Sequence, residues 1–175
     1  MTVIELEPEP LERLTRDEEK GWILEDGIRI ISFRLRTIHA AVDKLASMVG
    51  SKVTATLLYE IGFEIGKAAM SYSRDNIHSE EELGPVLDRV LSLRGWGRCL
   101  GIAKRPLSGG RVYVARLKGT LLSDERQTVE PTCHMVRGVV AGWLETHCGK
   151  KAVESVETEC VSTGDPACVF EVKLN

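Results

Sequence analysis

No uninterrupted apolar run in this chain reaches the ~18 residues that a membrane span requires. Residues 1–20 carry seven acids, three bases and no apolar stretch, so they do not read as a secretory signal. Cysteine is scarce and odd in number, five in 175 residues. That excludes a disulfide-stapled secreted mini-domain and makes a reducing cytoplasm the expectation. An excess of one charge is also missing. With a net charge of -3 and a pI near 5.9, a strongly basic face is not expected, and neither is a nucleic-acid partner. The chain has no Walker-type phosphate loop, no His-Glu-x-x-His and no Gly-x-Ser-x-Gly, and Gly95-Trp96-Gly97 lacks a third glycine at dinucleotide spacing. His39, His78, His134 and His147 are scattered along the chain.

What is there suits one domain with a short arm. Hydrophobic residues make up 43%, enough for a core. Residues 1–20, with Glu5-Leu6-Glu7-Pro8-Glu9-Pro10, read as an acidic solvated arm that has room for a short helix over Leu11–Glu19. The domain proper is expected over 21–175. Trp22–Leu24 and Ile28–Phe33 around Asp26-Gly27 read as a hairpin. From Leu35 the apolar period becomes helical, with Ile38, Ala41, Val42, Leu45 and Val49 on one stripe; Gly50 ends that helix and Ser51 caps the next. The second helix, about 52–73, is expected to bury Leu57, Leu58, Ile61, Ile65, Ala68 and Ala69. Its glycines 62 and 66 stand one turn apart, a spacing that marks close approach of another element within the chain or a homodimer seam.

Ser79-Glu80-Glu81-Glu82 has the form of a capping box for a third helix to about Leu93, with Val86, Leu87, Val90 and Leu91 inward. Strands follow over 98–104 and 111–118, joined by a turn at 106–110. Pro131 opens a fourth helix that Gly149 stops, carrying a second glycine pair, Gly138 and Gly142. Strands over 152–159 and 168–174 close the chain. The order β-α-α-α-β-β-α-β-β predicts an α+β fold: about four helices packed on a twisted, mainly antiparallel sheet.

The last third holds the residues with chemistry. Cys133 falls in the first turn of the fourth helix, where the dipole favours a thiolate. Glu157, Glu159 and Cys160 end one strand, and Cys168 opens the next across a seven-residue turn. Three thiolates and a carboxylate suit tetrahedral zinc. The same cysteines also read as buried small hydrophobes, or as a Cys160–Cys168 disulfide that a reducing compartment disfavours. Strand alternation sends residues 157 and 160 to opposite faces, so both reach one ion only through a bulge or an early strand end. Glu159 and His134 are the substitutes.

The run Gly138-x-x-x-Gly142, Gly149-Lys150 and Val156-Glu157-Thr158-Glu159-Cys160-Val161-Ser162-Thr163-Gly164-Asp165-Pro166-Ala167-Cys168-Val169-Phe170 resembles the C-terminal signature of the 4-vinyl reductase domain family. That family is related in fold to Bet3-type subunits of TRAPP transport complexes and to haem nitric-oxide sensor domains. The resemblance covers residues 28–174 and is most specific over 133–170. Some members are sensor domains for phenols and hold a structural zinc through Cys, Glu, Cys and Cys. Carried over, it implies Cys133, Glu157, Cys160 and Cys168 as ligands. The link from Gly149 to Glu157 is one residue longer than in those sensors, which brings His134 into consideration for the first position.

The resemblance also implies a homodimer and a small aromatic or lipid-like ligand in an apolar pocket, with Trp96, Tyr113 and Trp143 as candidate lining. Core packing is the alternative for those three side chains. At 175 residues without an output segment, the expectation is a free-standing sensor or adaptor. Two other readings stand beside it. One is a reductase component acting on a vinyl tetrapyrrole, for which no nicotinamide or flavin fingerprint is visible. The other is a dimeric interaction scaffold like the transport subunits, and an iron–sulfur cluster is the lesser option for the cysteines.

Overall fold

The computed structural model describes residues 14–25, 27–107 and 110–175. The chain divides into two compact units, residues 1–38 and 39–175. The first is a three-stranded antiparallel meander of β1 (Leu14–Asp17), β2 (Trp22–Glu25) and β3 (Ile28–Ile30), in that order. Residues 14–17 therefore form a strand, not part of a helix over 11–19. Leu14 pairs with Glu25 and Asp17 with Trp22, so an edge of the expected hairpin recruits them. Residues 1–13 lie outside the described residues. Lys20 and Arg29 sit over the Trp22 ring at 4.8 and 4.6 Å, a cation–π sandwich on the strand.

Helix α1 (Leu35–Val49) leads into the second unit, followed by α2 (Ser51–Ser73), α3 (Leu83–Ser92), β4 (Arg98–Leu107), β5 (Gly110–Lys118), α4 (His134–Cys148), β6 (Ala152–Glu159) and β7 (Cys168–Leu174). Four strands pair antiparallel in the order β4-β5-β7-β6. The fold is α+β as the sequence predicts, with one more strand at the front. Gly50, at φ 87, separates the first two helices and is itself the N-cap residue of α2, in place of Ser51. The cap at Ser79 forms: its N–H donates to the Glu82 carboxylate (3.2 Å), and a short 3-10 turn over Glu80–Glu82 runs into α3.

The buried row of α2 differs from the expected one. Thr54, Leu58, Gly62, Gly66 and Met70 face inward, while Leu57, Ile61 and Ile65 are 43%, 50% and 37% exposed and Ala68 is not fully buried either. The cause lies in the glycines. A Cβ on Gly62 or Gly66 would stand 1.9 or 2.1 Å from the backbone carbonyls of Met135 and Val139. One on Gly138 or Gly142 would stand 2.1 Å from those of Tyr59 and Phe63. The two glycine pairs interlock, and the helices touch backbone to backbone. The glycine spacing thus serves a seam inside the chain. In α3 the innermost row is Leu83, Leu87 and Leu91, with Val86 and Val90 only half-buried.

Helix α4 is buried nearly all round, from Val136 through Leu144, as a central helix must be. It starts at His134, three residues after Pro131, so Cys133 is its N-cap residue and not part of its first turn. Gly149, left-handed at φ 61, ends it. Beneath it the inner sheet face alternates as a half-wet strand should: Tyr113, Ala115 and Leu117 on β5, and Cys168, Phe170, Val172 and Leu174 on β7. The opposite face carries an Arg105–Glu171 ion pair. β4 continues to Leu107 through Pro106, which an edge strand tolerates.

Candidate metal centre

Four elements bring four donors to one point. Cys133 comes from the N-terminus of α4. Glu157 lies near the end of β6, Cys160 just beyond it, and Cys168 at the start of β7. The Sγ atoms lie 3.8 Å apart for Cys133–Cys160, 3.6 Å for Cys133–Cys168 and 4.0 Å for Cys160–Cys168. With a carboxylate oxygen of Glu157, all four donor atoms fall within 4.8 Å of one another. The three cysteines are fully buried and Glu157 is 9% exposed.

The alternation problem is solved locally. The β6–β7 register shifts between Glu157 and Glu159, and β6 stops there. The chain then turns through Val161–Thr163, with Cys160 N–H held by Asp165 at 2.9 Å. Bulge and early end together put both residues on one side. Glu159 and His134 are only partly buried and stand outside the cluster.

Several features test whether a cation fits. At a zinc–sulfur distance of about 2.3 Å, tetrahedral sulfurs lie about 3.8 Å apart, the spacing found here. A disulfide at ~2.05 Å does not describe these contacts, and all five cysteines are free. Glu157 Oε2 accepts the Cys133 N–H at 3.0 Å, whereas Oε1 is buried without a hydrogen-bond partner. Four acids packed this tightly cannot all ionise unaided. Burial and the Cys160 thiol beside it push the Glu157 carboxyl up to about 8. The contacts from Cys133 and Cys160 pull the Cys168 thiol down to about 3, while contacts with Cys160 and Cys168 drive the Cys133 thiol upward. A divalent cation would relieve this competition. The donor set fits a sulfur-rich tetrahedral metal.

The remaining candidates are placed apart from this centre. Trp143 and Tyr113 are core residues, and the Trp143 indole N–H has no partner. Trp96 is half-buried in the turn after α3, its backbone N–H bonded to Leu91 O at 2.9 Å. Cys99 is buried, with its thiol pushed up to about 11 by burial. Cys148 touches the Tyr113 hydroxyl at 3.4 Å. An open, polar groove lies at the end of α4, lined by Glu145, Thr146, Gly149, Lys150 and Lys151. Sequence reasoning passed over Thr120, Ser123 and Ser162, whose buried hydroxyls touch the cluster; three unpatterned hydroxyl residues carry no periodic signal.

Comparison with known proteins points to the same segment. The family model for the 4-vinyl reductase domain matches residues 119–174, the stretch that contains all four donors. Residues 119–174 form a 4-vinyl reductase domain. Two curated relatives, both from Methanocaldococcus jannaschii (strain ATCC 43067 / DSM 2661 / JAL-1 / JCM 10045 / NBRC 100440), carry the names uncharacterized protein MJ0150 and uncharacterized protein MJ0745. They are 29% identical over 119 residues and 26% identical over 117 residues, each match covering 67% of this chain. The matches span 64% and 55% of those relatives' own lengths.

Among solved structures, the fold resembles the phenol-responsive sensory domain of the transcription activator PoxR, solved with phenol. The TM-score is 0.75 and the identity 22%, over 95% of this chain and 87% of that one. It also resembles a vinyl-4-reductase family protein from M. jannaschii, at a TM-score of 0.60 and 25% identity, over 83% of this chain and 84% of that one. No helix among the described residues is long and apolar enough to cross a membrane.

Proposed function

We propose that this chain is a small-molecule-binding sensor or adaptor domain whose 4-vinyl reductase segment is pinned by a structural zinc ion. Cys133, Glu157, Cys160 and Cys168 are its ligands. The observation that carries the metal is the convergence of four buried donors within 4.8 Å. When bound, zinc would cross-link the N-terminus of α4 to the β6–β7 turn, and four protein ligands would leave no position for water or substrate. Around it, Cys133 orients Glu157 through its N–H, and Asp165 holds the turn that presents Cys160. No catalytic role is assigned to any residue.

The ligand in this reading is a small aromatic or lipid-like molecule in an apolar pocket. The likeness to a sensory domain solved with phenol supports it. So does the buried Trp143 N–H, a donor without an acceptor beside apolar core. The reading includes a cytoplasmic homodimer. Five free thiols support the compartment. The exposed row Val53, Leu57, Ile61 and Ile65, one residue per turn along α2, supports a self-complementary two-fold contact. Mass analysis under native conditions, with metal analysis of reduced protein, tests the whole reading. Protein with one zinc per chain, retained small apolar molecules and a doubled mass is expected. Metal-free, ligand-free monomer would refute it.

A further inference from the structure

We propose that Thr120 and Ser162 are positioning residues of the metal centre, each donating its hydroxyl proton to one sulfur, and that Ser123 aims the Thr120 donor. This rests on the metal-centre reading above. Three thiolates and a carboxylate carry four negative charges, so a bound dication leaves a net charge of about -2 in a place closed to water. Such a charge persists only where hydrogen-bond donors surround it.

The structure supplies one donor for each ligand. Thr120 Oγ1 lies 3.1 Å from Cys133 Sγ, and Ser162 Oγ lies 3.1 Å from Cys160 Sγ. The Val161 N–H points at Cys168 Sγ at 3.4 Å, and the Cys133 N–H at Glu157 at 3.0 Å. Thr120 and Ser123 are fully buried, and Ser162 is 3% exposed. Buried hydroxyls usually bond to backbone or water, so spending two on sulfur calls for a reason.

Proton counting gives the direction. A metal-bound thiolate has no proton to give, and a hydroxyl has one. At Cys160 the donor is therefore Ser162, which leaves Ser162 Oγ to accept from its neighbours. Thr128 Oγ1 stands 2.7 Å from it and 2.8 Å from Glu130 O, so the Thr128 proton lies between those two acceptors. Thr132 sends its own proton to Leu122 O at 3.0 Å and makes no demand on that of Ser162. On the other side Ser123 Oγ is in close contact with Thr120 Oγ1. With Ser123 donating, Thr120 directs its proton at Cys133, and such a chain strengthens each link.

The test uses the full chain with zinc and, separately, cobalt(II). Thr120→Val and Ser162→Ala are each expected to lower zinc affinity by about 10- to 100-fold in competition with a chromophoric chelator. In the cobalt-loaded protein both should move the sulfur-to-metal charge-transfer band to longer wavelength, because losing a donor raises the sulfur electrons in energy. Loss of stability alone would not move that band. Thr120→Ser, which keeps the hydroxyl, should restore affinity and band together. Variants that match the wild type in both readouts overturn the hydroxyl assignment while leaving the metal centre intact. Wild-type protein that takes up no zinc overturns the centre and this inference with it. If Thr120→Val does not fold, the smaller Ser162→Ala change decides.

Discussion

Gly138→Ala sets two effects of opposite sign against each other. Alanine favours a helix interior over glycine by about 1 kcal/mol, so local propensity predicts a gain. Packing predicts a loss. The new Cβ would stand 2.1 Å from Tyr59 O and 2.7 Å from Phe63 N, while real Cβ contacts essentially never fall below 3.0 Å. The obstacle is backbone, which cannot rotate aside as a side chain does. Helices α2 and α4 must part by close to 1 Å, the difference between 2.1 Å and that limit. A gap of that size forfeits a quarter to a half of each dispersion contact along the seam.

Overpacking of a tight core costs about 1–3 kcal/mol, and a backbone clash belongs at the upper end. The net expectation is a loss of about 2 kcal/mol, or a fall in Tm of roughly 4–8 °C for a domain of this size. Cys133 stands five residues earlier, at the mouth of the same helix, so zinc affinity should fall as well. Thermal melting with and without chelator, with zinc competition, measures both. An unchanged or raised Tm would refute the interlocked-glycine account.

Removing metal by chelation should lower Tm by roughly 5–10 °C when zinc had been a hundredfold above its Kd, a stabilisation of about 2.7 kcal/mol. Cys160→Ser should abolish that difference, and Cys148→Ser should leave it in place; metal analysis and melting curves check both. Metal-free protein should show the pH signature of Glu157. Its folded-state pKa, about 8, lies above the ordinary carboxyl value of 4.5. The folded state therefore holds that proton more tightly, and the group's contribution is present below 4.5 and lost as pH rises toward 8. Glu157→Gln should gain on wild type, both metal-free, by at most about 1.4 kcal/mol per pH unit across that window and by nothing more above it. Denaturant titrations at pH 5 and 8 measure the difference. Ile61→Lys on the exposed row of α2 should yield monomer by light scattering without lowering zinc content; a variant as dimeric as wild type would place the contact elsewhere.

Local chemistry made much of this protein legible without coordinates. Gly50 and Gly149 stop helices because a positive φ is needed there. The Ser79–Glu82 cap follows from its spacing, and Cys133, Glu157, Cys160 and Cys168 stand out as a thiolate-rich set. Each of these depends on residue types and short spacings that can be read along the chain. Tertiary structure decided the rest. Apolar content alone marks Leu57, Ile61 and Ile65 as the inner face of α2, yet the inner face is the glycine row, because only there can α4 approach to backbone contact. Residues 14–17 became a strand by finding β2, and Glu157 meets Cys160 through a bulge that pairing with β7 creates. The hydroxyls of Thr120, Ser123 and Ser162 acquire a role only once distant segments close around the sulfurs. A sequence states which groups are present and which local geometries are cheap; which groups lose water together is settled by packing between segments far apart in the chain.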